Sequence, residues 1–377
     1  MKITFVLPTL ALTGGMRVLS IYTEILQKRG HKIFIVSTPP DQPTLIQQLR
    51  SLLRGRGWEP APVKKWCYFD NVKDVESRVI ETCRPVTDSD VPDADIIMAT
   101  WWETAEWVSK LSPSKGAKVY FLQHYEAFDY TPKARVDATW RLPMHKIAVA
   151  KWLEDKARDE FGNLSVSLVP PSVDTTQFYD PLSRSGQRRG KQSVPTVGMY
   201  YSIAPWKGCA LAIEAFKLAA ARIPNLRLVA FGSGEFPAPH LPLPEGTEYD
   251  ILPSQDQLKE LYSKCDAWLF ASSTEGFGLP ILEAMACGTP VIGTPAGAAP
   301  ELLAGGGGIL VKPEDPEDMA LAIEQICQLS DAEWRAMSET AVETVIHYTW
   351  EDATDLFEAA LRTALERQPQ LTDKLYK

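Results

Sequence analysis

Short apolar runs bounded by polar residues recur along the chain, and they predict buried strands of parallel sheets. In the first half these runs cover residues 3–7, 33–37, 96–100, 118–123 and 146–150. In the second half they cover residues 196–199, 227–231, 267–271 and 291–294. Stretches with helical spacing lie between them, so each half predicts a doubly wound, Rossmann-like α/β domain.

The stretch YDPLSRSGQRRGKQSVP, between the two halves, is polar, basic and poor in large apolar residues, which is typical of an exposed linker. We therefore predict one domain over residues 1–190 and a second over residues 191–349. The last stretch, about residues 350–377, has the spacing of a helix.

The segment EGFGLPILEAMACGTPVIGTPAGA begins at Glu275, just after the apolar run 267–271. Gly276 and Gly278 permit backbone angles and a close ligand approach that a side chain would block. Pro280 is suited to a first helical position, and Gly288 is suited to the end of that helix. The free N–H groups at the start of such a helix are suited to binding phosphate.

Two carboxylates lie eight positions apart in this segment. Glu283, one turn inside the predicted helix, is placed to accept hydrogen bonds from a ribose diol. Glu275, in the turn, is nearer to whatever the phosphates carry. The alternative is a strand, turn and helix of any doubly wound fold with two solvated glutamates.

Four stretches of the chain resemble the family 4 retaining glycosyltransferases, nearly from end to end. The E-x7-E signature of that family is similar to Glu275 through Glu283, which CGTPVIGTPAGAAPELL follows. Trp206-Lys207-Gly208 resembles the lysine-glycine element of the family. PTLALTGGMRVLSIYTEILQKRGHKIFIVST resembles its first strand, glycine-rich loop, helix and second strand, and YFLQHYEAFDY has a histidine at the corresponding place.

The resemblance implies the GT-B architecture, in which two doubly wound Rossmann-like domains face a cleft and a C-terminal helix braces the first domain. It implies His124, beside the sugar, Lys207, on the donor diphosphate, and Glu275 as catalytic residues. The positions that it implies for donor binding are Gly14, Gly15, Lys207, Gly276, Phe277, Gly278, Leu279 and Glu283. It implies no metal and no cofactor, since the nucleotide-diphosphate sugar is a substrate.

One expected side chain is missing. The family usually has an arginine shortly after the first strand of the second domain, paired with the lysine on the diphosphate, but the chain reads PTVGMYYSIAPWKG. Tyr200 or Tyr201 could supply a neutral hydrogen bond, an arginine such as Arg17 could come from elsewhere, or the diphosphate could be held more weakly.

Composition narrows the choice of function. The chain has 377 residues, 45% hydrophobic and 23% charged, which is typical of a folded two-domain protein. Its formal net charge is −9, and this acidity argues against nucleic-acid binding. The six cysteines form no C-x-x-C pair, which is typical of reduced thiols. Since we find neither a long apolar span nor a leader pattern, we expect a cytoplasmic location.

The stretch LIQQLRSLLRGRGWEPAPVKKW, which begins at Leu45, interleaves leucines with Arg50, Arg54, Arg56, Lys64 and Lys65. One interpretation is peripheral docking on an anionic membrane face where a lipid-linked acceptor is presented. The other is an ordinary helix that packs its leucines on the sheet and leaves its arginines in solvent.

Two D-x-D motifs, at residues 88–90 and 93–95, match the cation clamp of the other large glycosyltransferase architecture. Asp and Pro before a strand are also common in turns, so we interpret both motifs as structural.

We therefore expect a retaining, metal-independent enzyme that moves a hexosyl or deoxyhexosyl unit from a nucleotide-diphosphate sugar to a glycan or lipid-linked saccharide. The alternative is a catalytically weak homologue that serves as a nucleotide-sugar- or glycan-binding subunit of a glycan-assembly complex. A nicotinamide enzyme is less favoured, because no G-x-G-x-x-G follows a predicted strand.

Overall fold

The computed structural model describes residues 1–40, 43, 45–55, 57–58, 66–162, 166–181, 183, 189–234 and 237–373. The chain divides into two compact units. The first unit is Met1–Val169 with Thr354–Lys377, and the second unit is Pro170–Ala353.

The first unit contains a parallel sheet with the strand order β3-β2-β1-β4-β5-β6-β7. Its strands are β1 (Lys2–Leu7), β2 (Lys32–Ser37), β3 (Glu76–Val79), β4 (Ile96–Ala99), β5 (Ala117–Leu122), β6 (His145–Ala148) and β7 (Val166–Leu168). Its helices up to that point are α1 (Gly14–Lys28), α2 (Leu45–Leu53), α3 (Trp102–Lys110), α4 (Lys133–Trp140) and α5 (Lys151–Phe161). The strand order reverses direction between β1 and β4, and ligands of doubly wound sheets bind outside the carboxyl ends of strands at such a point.

The second unit contains a parallel sheet with the order β10-β9-β8-β11-β12-β13, which reverses between β8 and β11. Its strands are β8 (Thr196–Tyr201), β9 (Arg227–Gly232), β10 (Glu248–Ile251), β11 (Ala267–Phe270), β12 (Val291–Gly293) and β13 (Gly308–Leu310). The helices that follow α5 are α6 (Cys209–Ala220), α7 (Gln255–Ser263), α8 (Leu279–Ala286), α9 (Ala299–Leu303), α10 (Pro316–Gln328), α11 (Asp331–Val345) and α12 (Trp350–Asp373).

The last helix, α12, completes the core of the first unit. Phe357 stacks on Tyr22 with 4.4 Å between ring centroids and meets Phe121 edge to face at 5.5 Å. At the surface, the guanidinium of Arg29 donates to the carboxylate of Glu358 over 2.6 Å. Contacts among three fully buried rings, together with one charged pair, therefore join α12 to the rest of the first unit.

The units divide after Val169, whereas the composition of the sequence predicts a boundary near residue 190. The described residues around 190 pack on the second unit. Arg189 lies over the ring of Trp334 at 4.4 Å and donates to the carbonyl of Cys265 over 2.5 Å. The backbone N–H of Gln192 donates to the carboxylate of Asp266 over 2.7 Å. These contacts tie a polar stretch to one unit although its composition is that of a linker.

Candidate functional site

The turn between β11 and α8 is shaped by a glycine with a left-handed backbone. Gly278 has φ 105° and caps α8, and a Cβ on it would lie 3.0 Å from the ring of Phe270, at the end of β11. The helix starts at Leu279, so Pro280 is its second residue and not the first as predicted. In this turn Pro280 has no N–H and the N–H of Ile281 donates to the carbonyl of Gly278 over 2.9 Å, so the described donor that remains at the helix start is the N–H of Leu279. Phosphate binding at this turn stays a prediction.

The carbonyl of Phe277 fixes the same turn to the loop after β12. It accepts a hydrogen bond from the N–H of Ala298 over 2.8 Å. Gly297 has φ 61°, and a Cβ there would lie only 2.3 Å from the Phe277 carbonyl oxygen. Gly276 and Phe277 are buried and Leu279 is half-buried, so Leu279 is the one of these three that solvent reaches.

Lys207 and Glu275 form an ion pair at the reversal point of the second sheet. Lys207 follows β8 and Glu275 follows the neighbouring β11, and the Lys207 Nζ lies 2.6 Å from the Glu275 Oε1. The hydroxyl of Ser272 donates to the same oxygen over 2.8 Å. The two side chains are 28% and 14% exposed, so the pair is reachable from solvent yet partly shielded. The structure brings these two predicted residues together.

A second glycine allows Lys207 to approach β11. Gly208 has φ 64°, and a Cβ on it would lie 1.8 Å from the carbonyl oxygen of Ala271. Next to it, the N–H of Ser273 donates to the carbonyl of Trp206 over 2.9 Å. The loop after β8 is thus packed directly on the loop after β11, and no other residue type fits at Gly208 without moving the backbone.

Glu283 lies on α8 one turn after its start, as predicted, but it is only 6% exposed. Its Oε2 accepts a hydrogen bond from the hydroxyl of Tyr262 over 2.7 Å. Tyr262, on α7, is fully buried. Sequence reasoning missed this tyrosine and also Ser272, because neither belongs to the motif. Both hold a carboxylate of the E-x7-E pair in place.

The two tyrosines considered for the missing arginine differ in their contacts. The hydroxyl of Tyr201 accepts from the N–H of Ala238 and donates to the carbonyl of Leu241, each over 2.8 Å. The ring of Tyr200 is half-buried and meets Phe231 at 5.5 Å. The hydroxyl of Tyr201 is therefore already bonded to a loop of the second unit, so Tyr200 is the candidate of the two for the role of the missing arginine.

The predicted residues of the first unit lie at the carboxyl ends of β1 and β5. Gly14 and Gly15 open α1, and Thr13 caps it by accepting the N–H of Met16 over 3.3 Å. A Cβ on Gly15 would lie 2.8 Å from the amide oxygen of Gln123, which precedes His124. The glycine-rich loop and the histidine segment are therefore adjacent. Arg17 belongs to the first turn of the same helix.

The tautomer of His124 follows from its backbone contact. Its Nδ1 lies 2.8 Å from the carbonyl oxygen of Tyr125, which can only accept, so Nδ1 carries a hydrogen. In the neutral imidazole, Nε2 is then an acceptor. His124 can therefore orient a sugar hydroxyl by accepting its proton in a hydrogen bond.

Glu126, two residues after His124, is a buried acid to which the sequence motifs assign no role. Glu126 is 2% exposed, and burial raises its pKa to about 8. Its Oε2 accepts from the N–H of Trp102 over 2.6 Å and from the hydroxyl of Tyr120 over 3.0 Å. Nothing in the local sequence predicts that this glutamate, unlike its neighbours, points inward.

The aspartates of both D-x-D motifs have partners inside the first unit. Asp90 is buried and pairs with Arg84, whose guanidinium lowers the pKa of that carboxyl. Asp93 pairs with Lys115 over 2.9 Å. Asp95 accepts from the backbone N–H of Lys2 over 2.7 Å. Among the described residues, no group of three or more His, Cys, Asp or Glu side chains is arranged to hold a metal ion.

One family model matches residues of the second unit. Residues 185–343 match the family model of the glycosyl transferases group 1. The chain is 28% identical over 218 residues to the D-inositol 3-phosphate glycosyltransferase of Mycobacterium leprae, which covers 53% of this chain and 49% of that protein. It is 27% identical over 193 residues to a GDP-mannose-dependent alpha-(1-6)-phosphatidylinositol monomannoside mannosyltransferase of Mycolicibacterium smegmatis, covering 46% and 50%. The chain thus spans about half the length of the curated relatives it matches.

Solved structures extend the similarity to both units. Sucrose-phosphate synthase from Thermosynechococcus elongatus matches with a TM-score of 0.69 and 17% identity, over 96% of this chain and 98% of that one. HepE from Anabaena, solved with UDP and glucose, matches with a TM-score of 0.69 and 16% identity, over 96% and 100%. At these identities the likeness concerns the fold, and the predicted GT-B architecture is confirmed.

Proposed function

From the match of residues 185–343 to the family model of the glycosyl transferases group 1, we propose that the protein is a retaining, metal-independent glycosyltransferase. It transfers a hexosyl or deoxyhexosyl unit from a nucleotide-diphosphate sugar to a glycan or lipid-linked saccharide. The observation that carries the proposal is the pair of Lys207 and Glu275 beside the start of α8, at the reversal point of the second sheet. A cation and backbone N–H groups can bind the phosphates of a nucleotide sugar, and a carboxylate can bind the hydroxyls of its sugar.

Departure of the nucleoside diphosphate builds negative charge on the β-phosphate. Lys207 and the N–H of Leu279 at the start of α8 are the proposed donors for that charge. Because Lys207 is held by Glu275 over 2.6 Å, the diphosphate has to compete with this carboxylate for the ammonium. In our proposal Lys207 then binds the diphosphate in place of Glu275, and Glu275 binds hydroxyls of the transferred sugar.

The remaining steps need no protein nucleophile. The acceptor hydroxyl attacks the anomeric carbon from the face that the diphosphate leaves, and the departing phosphate takes the proton, so the configuration is retained. The thiol of Cys209, two residues after Lys207, is not a nucleophile in this proposal, because burial raises its pKa and keeps it protonated. His124 orients the sugar through Nε2, and the loop of Gly14 and Gly15 supplies backbone donors. Arg17 is the proposed substitute for the missing arginine.

The proposal includes peripheral contact with the cytoplasmic face of an anionic membrane. On α2 the apolar side chains point outward: Leu45, Ile46, Leu49, Leu52 and Leu53 are 45–86% exposed, whereas Gln48 and Ser51 are buried. This is the reverse of a helix that packs its leucines on a sheet. Arg50 and Arg54 are exposed beside them, which suits anionic headgroups. Arg56, Lys64 and Lys65 lie outside the described residues. No described helix combines the length and apolarity needed to cross a bilayer.

A second function is favoured by one observation. The strand β8 ends in tyrosines where the family usually has an arginine, and Tyr201 spends its hydroxyl on internal contacts. Weaker diphosphate binding would suit a catalytically weak homologue that acts as a nucleotide-sugar- or glycan-binding subunit of a glycan-assembly complex. Such a protein binds donors without releasing nucleoside diphosphate from them.

The test begins with thermal shifts over UDP, GDP, ADP and dTDP sugars, since a ligand at 100 times its Kd stabilises the fold by about 2.7 kcal/mol. The stabilising donors are then assayed for release of nucleoside diphosphate, with and without saccharide acceptors. Release that depends on Lys207 supports the enzyme. Binding without release supports the subunit, and absence of binding to all donors contradicts both.

A further inference from the structure

Four aromatic rings lie together at the carboxyl ends of β4 and β5 in the first unit, and we call Trp101, His124, Phe128 and Tyr130 the aromatic stack. Phe128 and Tyr130 are nearly parallel, with 5.3 Å between centroids and 5° between planes. Trp101 and His124 stack on Phe128 with centroid distances of 6.4 and 5.0 Å. Tyr130 is 66% exposed and the other three are half-buried. Phe128 thus covers one face of the Tyr130 ring, and the other face of Tyr130 is open to solvent and backed by three further rings.

Hydrogen bonds fix the loop that carries these rings. The buried carboxyl of Glu126 accepts the backbone N–H of Trp102 and so joins this loop to the start of α3. The hydroxyl of Thr131 donates to the carbonyls of Glu126 and Phe128, over 2.8 and 2.9 Å. Because the rings are held before any ligand arrives, little conformational entropy is lost when one binds.

The stack lies next to groups that the sequence predicts to contact the reacting sugar. The strand order of this sheet reverses between β1 and β4, and a doubly wound sheet binds ligands outside the strand ends at such a point. His124 belongs both to the stack and to the predicted site. Gln123, its neighbour, lies against Gly15 of the glycine-rich loop. A ligand on the stack is therefore beside the groups expected to face the reacting sugar.

We propose that the aromatic stack binds a pyranose ring of the acceptor, a proposal that rests on the glycosyltransferase function above. One face of many pyranoses exposes only C–H bonds, which pack on an aromatic ring, while the hydroxyls point to the ring edge. Asp129, exposed between Phe128 and Tyr130, and the Nε2 of His124 are polar groups suited to those hydroxyls. The acceptor that this surface recognises is a saccharide.

Two other occupants fit less well. An acyl chain has no flat face, and parallel rings offer it no advantage over the leucines of α2. A nucleotide base has a flat face, but the phosphates of its nucleotide would lie near the acidic side chain of Asp129. The stack therefore favours the sugar, and the base remains an outcome of the test.

The test uses the full chain and saturation-transfer NMR with the methyl glycosides of glucose, mannose, galactose and N-acetylglucosamine, and with UDP alone. We expect at least one glycoside to receive saturation on the C–H protons of one face. Tyr130→Ala should weaken its Kd by about 2- to 12-fold, the effect of losing one aromatic stacking partner. Tyr130→Phe keeps the ring and should bind as the wild type does.

Tyr179→Ala is the matched control, since Tyr179 is also exposed, at 43%, but lies in the second unit. The proposal is overturned if no glycoside binds, if Tyr130→Ala binds as the wild type does, or if UDP is the probe whose signal Tyr130→Ala removes. Release of nucleoside diphosphate by the wild type is measured separately. A chain that releases it but fails the glycoside test keeps the proposed function and loses the saccharide site. A chain that binds glycosides through Tyr130 without any release keeps the site and loses the enzyme.

Discussion

Replacing Glu126 by glutamine is expected to change how the stability of the first unit depends on pH. Burial raises the pKa of Glu126 to about 8, whereas an unfolded glutamate titrates near 4.3. Between these two values the folded chain binds more protons than the unfolded chain, so its free energy of unfolding falls as pH rises. Glutamine keeps the size of the side chain and its acceptor for Trp102 and Tyr120, but it does not ionise.

The magnitude follows from the same two values. One pH unit per proton corresponds to about 1.4 kcal/mol, so ionising this buried carboxyl costs the folded wild type about 5 kcal/mol by pH 8 and above. A change of 1 kcal/mol shifts the melting temperature of a unit of this size by about 2–4 °C. The three pH units from pH 5 to pH 8 correspond to about 4 kcal/mol, so over this range Glu126→Gln should gain about 8–16 °C in the first unit relative to the wild type.

The assay is differential scanning calorimetry of both proteins at pH 5, 6, 7 and 8, since two units need not unfold together. Glu76→Gln is the control, because it makes the same chemical change on an exposed edge strand. Parallel melting curves for Glu126→Gln and the wild type across this range would refute the reasoning, since they would mean that the buried carboxyl titrates as in the unfolded chain.

Three further predictions concern the proposed function. Lys207→Ala should lower kcat by about 10²- to 10³-fold in steady-state kinetics, the loss of one preorganised donor, and turnover within a few-fold of the wild type would direct attention to Arg17. Glu283→Ala should raise the donor KM by the equivalent of about 1.5–3 kcal/mol, and Tyr262→Phe should raise it less; unchanged donor affinity in the folded Glu283 variant contradicts the ribose assignment. Leu49→Asp with Leu53→Asp should abolish sedimentation with vesicles that contain anionic lipid, because it places charge on the exposed face of α2, and equal sedimentation of variant and wild type would exclude this face as the contact.

The strands that the sequence predicted and those it missed differ in their place in the sheet. The five runs predicted in the first half are the interior strands β2, β1, β4, β5 and β6, and the four in the second half are β9, β8, β11 and β12. In the described part of the chain, the missed strands are β3, β7, β10 and β13, which are the edges of the two sheets. An edge strand is less buried than an interior one, and all four residues of β3 are exposed, so it carries no apolar run to be recognised.

The site was predictable where backbone geometry dictates residue type. Gly278 has to adopt a left-handed conformation and Gly208 has to admit a close approach, so both leave a trace in the sequence. The contacts of Glu126 and Glu283 leave none, because a glutamate that points inward has the same letter as one in solvent. Burial and partners such as Tyr262 are decided by tertiary packing, which only the folded chain reveals.

The packing of α12 on the first unit has a consequence for synthesis. Tyr22 and Phe121 are made before the second unit, whereas their partner Phe357 is made after it. While the second unit is being translated, the first unit has to wait with two large aromatic rings lacking that cover, a state that favours aggregation or chaperone binding. Removal of α12 should therefore destabilise the first unit, and a nascent chain arrested before residue 350 should be protease-sensitive in that unit.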